Sequence, residues 1–166
     1  MEKHMRDASP NGMSEAPGMG PYLKLGLMTL LSFIAMYVLM YAMVNRVSNV
    51  FLSFNQVYMA ALMASPMVLI ELLLMRHMYP NGRRNAFVAA CAFGVGVVSF
   101  LFIREQTAIG DRQFLRSMIP HHAGAILMCE NASLSSEEVK RLCQGIVSGQ
   151  QAEIAKMKEL LSGPVK

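Results

Sequence analysis

The sequence predicts an all-α protein: three transmembrane helices followed by a C-terminal helical hairpin. Three observations predict it. Hydrophobic residues make up 54% of the 166-residue chain, more than a water-soluble domain ordinarily carries. That apolarity is concentrated in three runs, each long enough to cross a hydrocarbon layer of ~30 Å at about 1.5 Å per helical residue. Beyond the third run, over residues 104–166, the pattern becomes amphipathic with helix start and stop signals.

Residues 1–20 mix charge, glycine and proline with no apolar period, as a disordered tail does. His4, Met5, Met13 and Met19 are scattered through it. The first span covers about 23–44, interrupted only by Lys24 and small hydroxyls. It is too long for a signal-peptide core and lacks a small-x-small cleavage site. The second span covers about 57–75 and contains Pro66, which a membrane helix tolerates with a kink. The third covers about 86–103. Its pairs Ala90-x-x-x-Gly94 and Ala92-x-x-x-Gly96 allow close helix contact.

Three spans put the two ends of the chain on opposite sides of the bilayer. One side holds Lys3, Arg6, Lys24, Arg76, Arg83 and Arg84; the other holds Arg46, Arg104, Arg112 and Arg116. The positive-inside rule makes the first side cytoplasmic. The expected location is a bacterial inner membrane, with residues 104–166 in the periplasm. Net charge is +4, and no Lys/Arg run tracks a phosphate backbone, so nucleic acid is not an expected partner.

In the hairpin, Asp111 after Gly110 is an N-cap for a helix running to about Glu130, which Pro120 should kink. Ser135-x-x-Glu138 is a capping box opening the second helix. Val139, Leu142, Cys143, Ile146, Ile154, Met157, Leu160 and Leu161 form its apolar stripe, and Gly163-Pro164 ends it. Two helices alone bury too little core. The hairpin is therefore expected to pair with a second copy, completing a four-helix bundle, or to pack on an extension of the third span.

The chemistry concentrates at Phe114–Cys129, FLRSMIPHHAGAILMC. On a helix Met118 lies beside His121 (i+3) and His122 (i+4), with Met128 and Cys129 two turns on. Thioether, imidazole and thiol select Cu(I) over hard cations. The expected ligands are Met118, His121 and His122, then Met128, Cys129, Cys143 and Met157. The plainer alternative makes the apolar members core and the histidines surface. Gln150, Glu153 and Met157 share a face of the second helix, and Gln150 and Glu153 would orient the histidines or join two hairpins. If the turn closes at 131–135, residues whose numbers add to about 266 lie level. That sets Met118 near Ser148 and His121 near Gly145, where Gly145 and Gly149 allow close approach. Cys129 and Cys143 then differ in height by ~9 Å, too far for an intrachain disulfide.

Residues 111–161 resemble the domain-of-unknown-function 305 family. The resemblance rests on Phe114-Leu115, Met118-Ile119-Pro120-His121-His122, Ala125, Met128 and Ile146-x-x-x-Gln150-x-x-Glu153-Ile154-x-x-Met157. The stretches Pro66–Glu71 and Met78–Asn81 resemble membrane-anchored members. The resemblance implies a ferritin-like fold, here a half-bundle, and periplasmic copper binding through Met and His in copper tolerance. Ala123 and Leu127 stand where the family often has Gln and Asp, and Cys129 replaces a usual Ala, changes that lean toward Cu(I).

A di-iron oxidase would need Glu-x-x-His pairs, and the sequence has none. It also lacks a nucleophile triad, a phosphate loop and a CxxC pair, so no enzymatic activity is expected. Two other readings remain open. One is a copper transporter or permease subunit using Met59, Met63, Met67 and the intramembrane Glu71 as a membrane path. The other is a structural or interaction membrane protein without metal. The expected partners are the lipid bilayer, a second copy of the chain, and a copper-donor or copper-acceptor protein.

Overall fold

A computed structural model describes residues 19–163 as five α-helices, with no strand among the described residues: α1 (Pro21–Leu39), α2 (Phe54–Leu74), α3 (Gly82–Arg104), α4 (Asp111–Asn131) and α5 (Glu137–Ser162). The expected tail lies outside the described residues except for Met19 and Gly20. Three helices are long and apolar enough to cross a membrane: Pro21–Met43, Phe54–Leu74 and Gly82–Arg104. They start two to four residues earlier than the apolar runs suggest. Proline at the first helical position of α1 and an Asn81 cap on α3, whose side chain accepts from Arg84 N at 3.0 Å, recruit polar residues into the first turns.

Inside the three-helix unit, α2 is central. Its buried face is Ala60, Ala64, Val68 and Leu72, one residue per turn. Small side chains there let the backbones approach. At Gly96 of α3 a Cβ would come 3.2 Å from the Ser65 Cβ of α2, whereas at Gly94 it would meet nothing within 4 Å. Only the Ala92–Gly96 pair therefore serves a helix contact within the chain. At one end of the unit, buried Tyr79 donates to Glu71 Oε1 at 3.2 Å, and its ring sits 5.5 Å from that of Tyr22. Tyr22 in turn donates to Asn85 Oδ1 at 2.8 Å. Burial first, then the neighbouring Glu71 carboxylate, holds the Tyr79 hydroxyl above the usual phenol range.

At the other end, Gln106 and Ala108 adopt φ of 49° and 60°. That left-handed turn reverses the chain between α3 and α4. Gln113 Oε1 in the first turn of α4 accepts from Phe54 N at 3.1 Å. Eleven residues on, Gly124 meets the loop after α1, where an added Cβ would lie 3.5 Å from Met43 O. Those two contacts are about 16 Å apart along the helix, so α4 lies across the ends of the first two spans.

The hairpin core consists of Leu115, Ile119, Ala123 and Ile126 of α4 with Ile154 and Met157 of α5. Val44, Phe51, Met118, Val147 and Leu161 pack against it. The expected cover for this core was a second hairpin or an extension of the third span. Within the chain the cover is Val44 and Phe51, from the loop between the first two spans, and no residue of the third span joins it. Two further expectations shift by one position. Gly110, not Asp111, caps α4, and Ser136, not Ser135, caps α5 by accepting from Val139 N at 3.5 Å. Pro120 is buried inside α4, which runs unbroken across it.

Candidate metal site on the hairpin

The register of α4 against α5 decides which donors meet. Cys129 lies opposite Cys143, and His122 opposite Glu153. These partners are six and nine residues further along α5 than a turn closing at 131–135 would put them. The physical reason is the connection. Both caps flanking it, Ala132 and Ser136, are extended, and Leu134 N donates to Ala132 O at 3.0 Å between them. A symmetric tight turn is the wrong template.

Two expectations fall with that register. Cys129 and Cys143, whose Cα atoms are 5.3 Å apart, form a disulfide, well inside the distance a bridge requires. Joined in this way, neither offers the thiolate expected of a ligand. Gly145 and Gly149 do not face α4. A Cβ at either would meet nothing within 4 Å, and both border a groove of about 430 Å³ on the outer side of α5 with Gln150 and Glu153.

His122 is fixed at both ring nitrogens. Nδ1 lies 2.9 Å from Met118 O, and Nε2 lies 2.7 Å from Glu153 Oε2. A carbonyl only accepts, so Nδ1 carries a hydrogen and donates. Nε2 then faces a carboxylate across one shared proton, as an imidazolium–carboxylate pair or its neutral equivalent. Glu153 is 62% exposed at its side chain and His122 only 11%. The carboxylate is therefore the movable half of this clasp. His121 is exposed, its ring centroid 6.0 Å from that of His122. Met118 is half-buried over the core, and Met157 is buried in it. Met128 is 53% exposed, two turns beyond the histidines.

Gln150 carries a buried Oε1 with no hydrogen-bond partner. Leaving such an atom unpaired costs about 1–3 kcal/mol, and it lies one turn from Glu153. Among the described residues no three His, Cys, Asp or Glu side chains group closely enough to hold a metal. Met118 with His121 and His122 offers one thioether and two imidazoles, a donor set that suits a soft monovalent ion.

The membrane-path residues lie elsewhere. Met59 and Met63 are 39% and 46% exposed, on the side of α2 away from its buried Ala60–Leu72 face, and Met67 is half-buried. Glu71 is engaged by Tyr79. The space between the three spans, about 550 Å³, is lined chiefly by apolar and small side chains, with none of these methionines among them.

One group went unnoticed as a unit at the sequence level. Arg112, Arg116 and Lys158 line a single cavity, although Lys158 is over forty residues from the arginines. The i, i+4 spacing of the arginines was visible, but the chain fold that brings Lys158 to them was not.

The family described as "Domain of unknown function (DUF305)" matches residues 103–161. The chain is similar to "Uncharacterized protein L153" of Acanthamoeba polyphaga mimivirus, at 30% identity over 138 residues, covering 81% of this chain and 89% of that protein. A match of that length reaches well beyond α4 and α5 into the spans. No solved structure matches the chain.

Proposed function

The chain belongs to the DUF305 family, and from that premise we propose that it is a membrane-anchored copper-binding protein, with Cu(I) favoured, acting in copper tolerance or homeostasis. The observation that carries the reading is the α4 face on which Met118 precedes two histidines whose rings lie 6.0 Å apart. Met118, His121 and His122 would hold the ion. His122 enters through Nε2, and Glu153 gives up that nitrogen. The bond from Nδ1 to the Met118 carbonyl keeps the ring oriented meanwhile. Bound copper would supply no reaction here; the protein sequesters the ion or hands it on. The recipient or donor would be another copper protein.

The disulfide supports placing α4 and α5 in an oxidising compartment, in keeping with a periplasmic face of a bacterial inner membrane. It also narrows the ligand set, because Cys129 and Cys143 are excluded while oxidised. A second copy docking on exposed Val139 and Leu142 of α5 would complete a bundle. The test is competitive Cu(I) affinity of the full chain in detergent, without thiol reductant. His121→Ala/His122→Ala should abolish the tight site, and Cys129→Ser/Cys143→Ser should keep it. Unchanged affinity in the double histidine variant rejects the assignment.

A further inference from the structure

Where α4 leaves the third span, three cations converge on one cavity. Arg112 and Arg116 are one turn apart on α4 and so share a face. Lys158 reaches the same space from α5. Together with Ser48, Phe51 and Leu161 they line a cavity of about 370 Å³. An adjoining cavity of about 400 Å³ shares Ser48 and Lys158 and adds Arg46. No carboxylate lines either space. The ion pairs among the described residues join His122 to Glu153, Lys140 to Glu137 and Lys156 to Glu159, and none involves these four cations.

Like charges gathered around a concave space repel one another unless an anion joins them. Guanidinium groups match phosphate oxygens through paired N–H donors, and an ammonium adds a point charge. The position narrows the anion further. Phe51 lies three residues before α2, and Gln113, next to Arg112, holds the first backbone N–H of α2. The cavity therefore lies in the layer just beyond the ends of the spans, where lipid headgroups are. Its walls include the apolar side chains of Phe51 and Leu161, which suit a ligand that is part anion and part hydrocarbon.

We propose that Arg112, Arg116 and Lys158, with Ser48 between them, form a binding site for the phosphate of an anionic phospholipid. Basic pockets between helices at the membrane surface hold headgroups by this chemistry. The site also accounts for two of the four arginines that flank the spans on the side of α4 and α5, Arg112 and Arg116, while Arg46 lines the adjoining cavity. Occupied, it would tie α4, α5 and the loop after α1 to the bilayer.

The experiment uses the full chain in detergent. It is titrated with phosphatidylglycerol or phosphatidylcholine in mixed micelles, with lipid retention read by native mass spectrometry and thermal stability measured alongside. Wild type should retain one phosphatidylglycerol and be stabilised by it, with at least a tenfold preference over phosphatidylcholine. Arg112→Gln/Arg116→Gln should lose that preference, whereas Lys140→Gln/Lys156→Gln, which removes equal charge elsewhere, should keep it. Equal retention of the two lipids by wild type overturns the site without recourse to any variant. So does equal loss in the control variant, which would mean diffuse charge attraction. Complete displacement of the lipid by millimolar inorganic phosphate overturns the lipid in favour of a soluble anion.

Discussion

The three spans and the α4–α5 pair reach their packing by opposite routes. In the spans almost every residue is apolar, so hydrophobicity does not mark the buried face of α2: the small Ala60, Ala64 and Ser65 face inward along with Val68 and Leu72, while Met59, Met63 and Ile70 face out. Lipid is as apolar as leucine, so burial of large side chains drives nothing there, and close backbone approach selects the interface. In α4 and α5 the buried face is the apolar one, Leu115, Ile119, Ile126, Ile154 and Met157, because water surrounds the remainder. A cross-link and the His122–Glu153 clasp are added to it. The same side chain, methionine, is therefore exposed at positions 59 and 63 of α2 and core at position 157 of α5.

The largest effect should come from breaking the water-driven side of that contrast. Ile126 is 1% exposed, and Ile126→Ala should cost about 2–5 kcal/mol. Hydrogen exchange should show α4 and α5 opening while α1–α3 keep their protection. Loss of protection across all five helices would mean that the two regions fold as one cooperative unit.

Removing the cross-link sharpens the same comparison. Cys129 and Cys143 are 14 residues apart, and closing a loop of that size contributes about 3 kcal/mol through the unfolded chain. Cys129→Ser/Cys143→Ser should lower the denaturation midpoint of α4–α5, read by proteolysis between α3 and α4, by a corresponding amount. An unchanged midpoint would mean that the unfolded hairpin is already constrained by its anchorage.

The smallest effect tests the lipid-embedded side. Even a Cβ at position 96 comes 3.2 Å from Ser65 Cβ, whereas position 94 is open. Gly96→Val should cost about 1–3 kcal/mol by overpacking, and Gly94→Val close to nothing, measured as unfolding of the purified protein in mixed micelles. Equal costs would remove size as the selector of the α2–α3 face.

Much of this was legible in the chain. The five helices announce themselves through apolar run length, the stripe of α5 and the serines before Glu137. The candidate ligands were also legible as a set, because Met118, His121 and His122 belong to one helical turn and need no knowledge of the remainder of the chain. Glu153 as their partner was legible too, from the face it shares with Gln150 and Met157, and it meets His122 at 2.7 Å; the register that seats it there was not. Ala132 and Ser136 at the two ends of the connection are extended, and a register shift of six to nine residues exchanges Gly145 for Glu153 opposite the histidines and brings Cys143 onto Cys129.

Sequence alone determined the elements that depend on neighbours a turn apart: the spans, the amphipathic stripe and the His-His face, since helical periodicity is local. Tertiary structure decided everything that depends on register and docking. It joined the two cysteines, tied up His122 with Glu153, covered the hairpin core with Val44 and Phe51, and gathered Arg112, Arg116 and Lys158. Those outcomes turn on a few ångströms of offset between helices, set by loop geometry and side-chain volume, which no repeat in the sequence encodes.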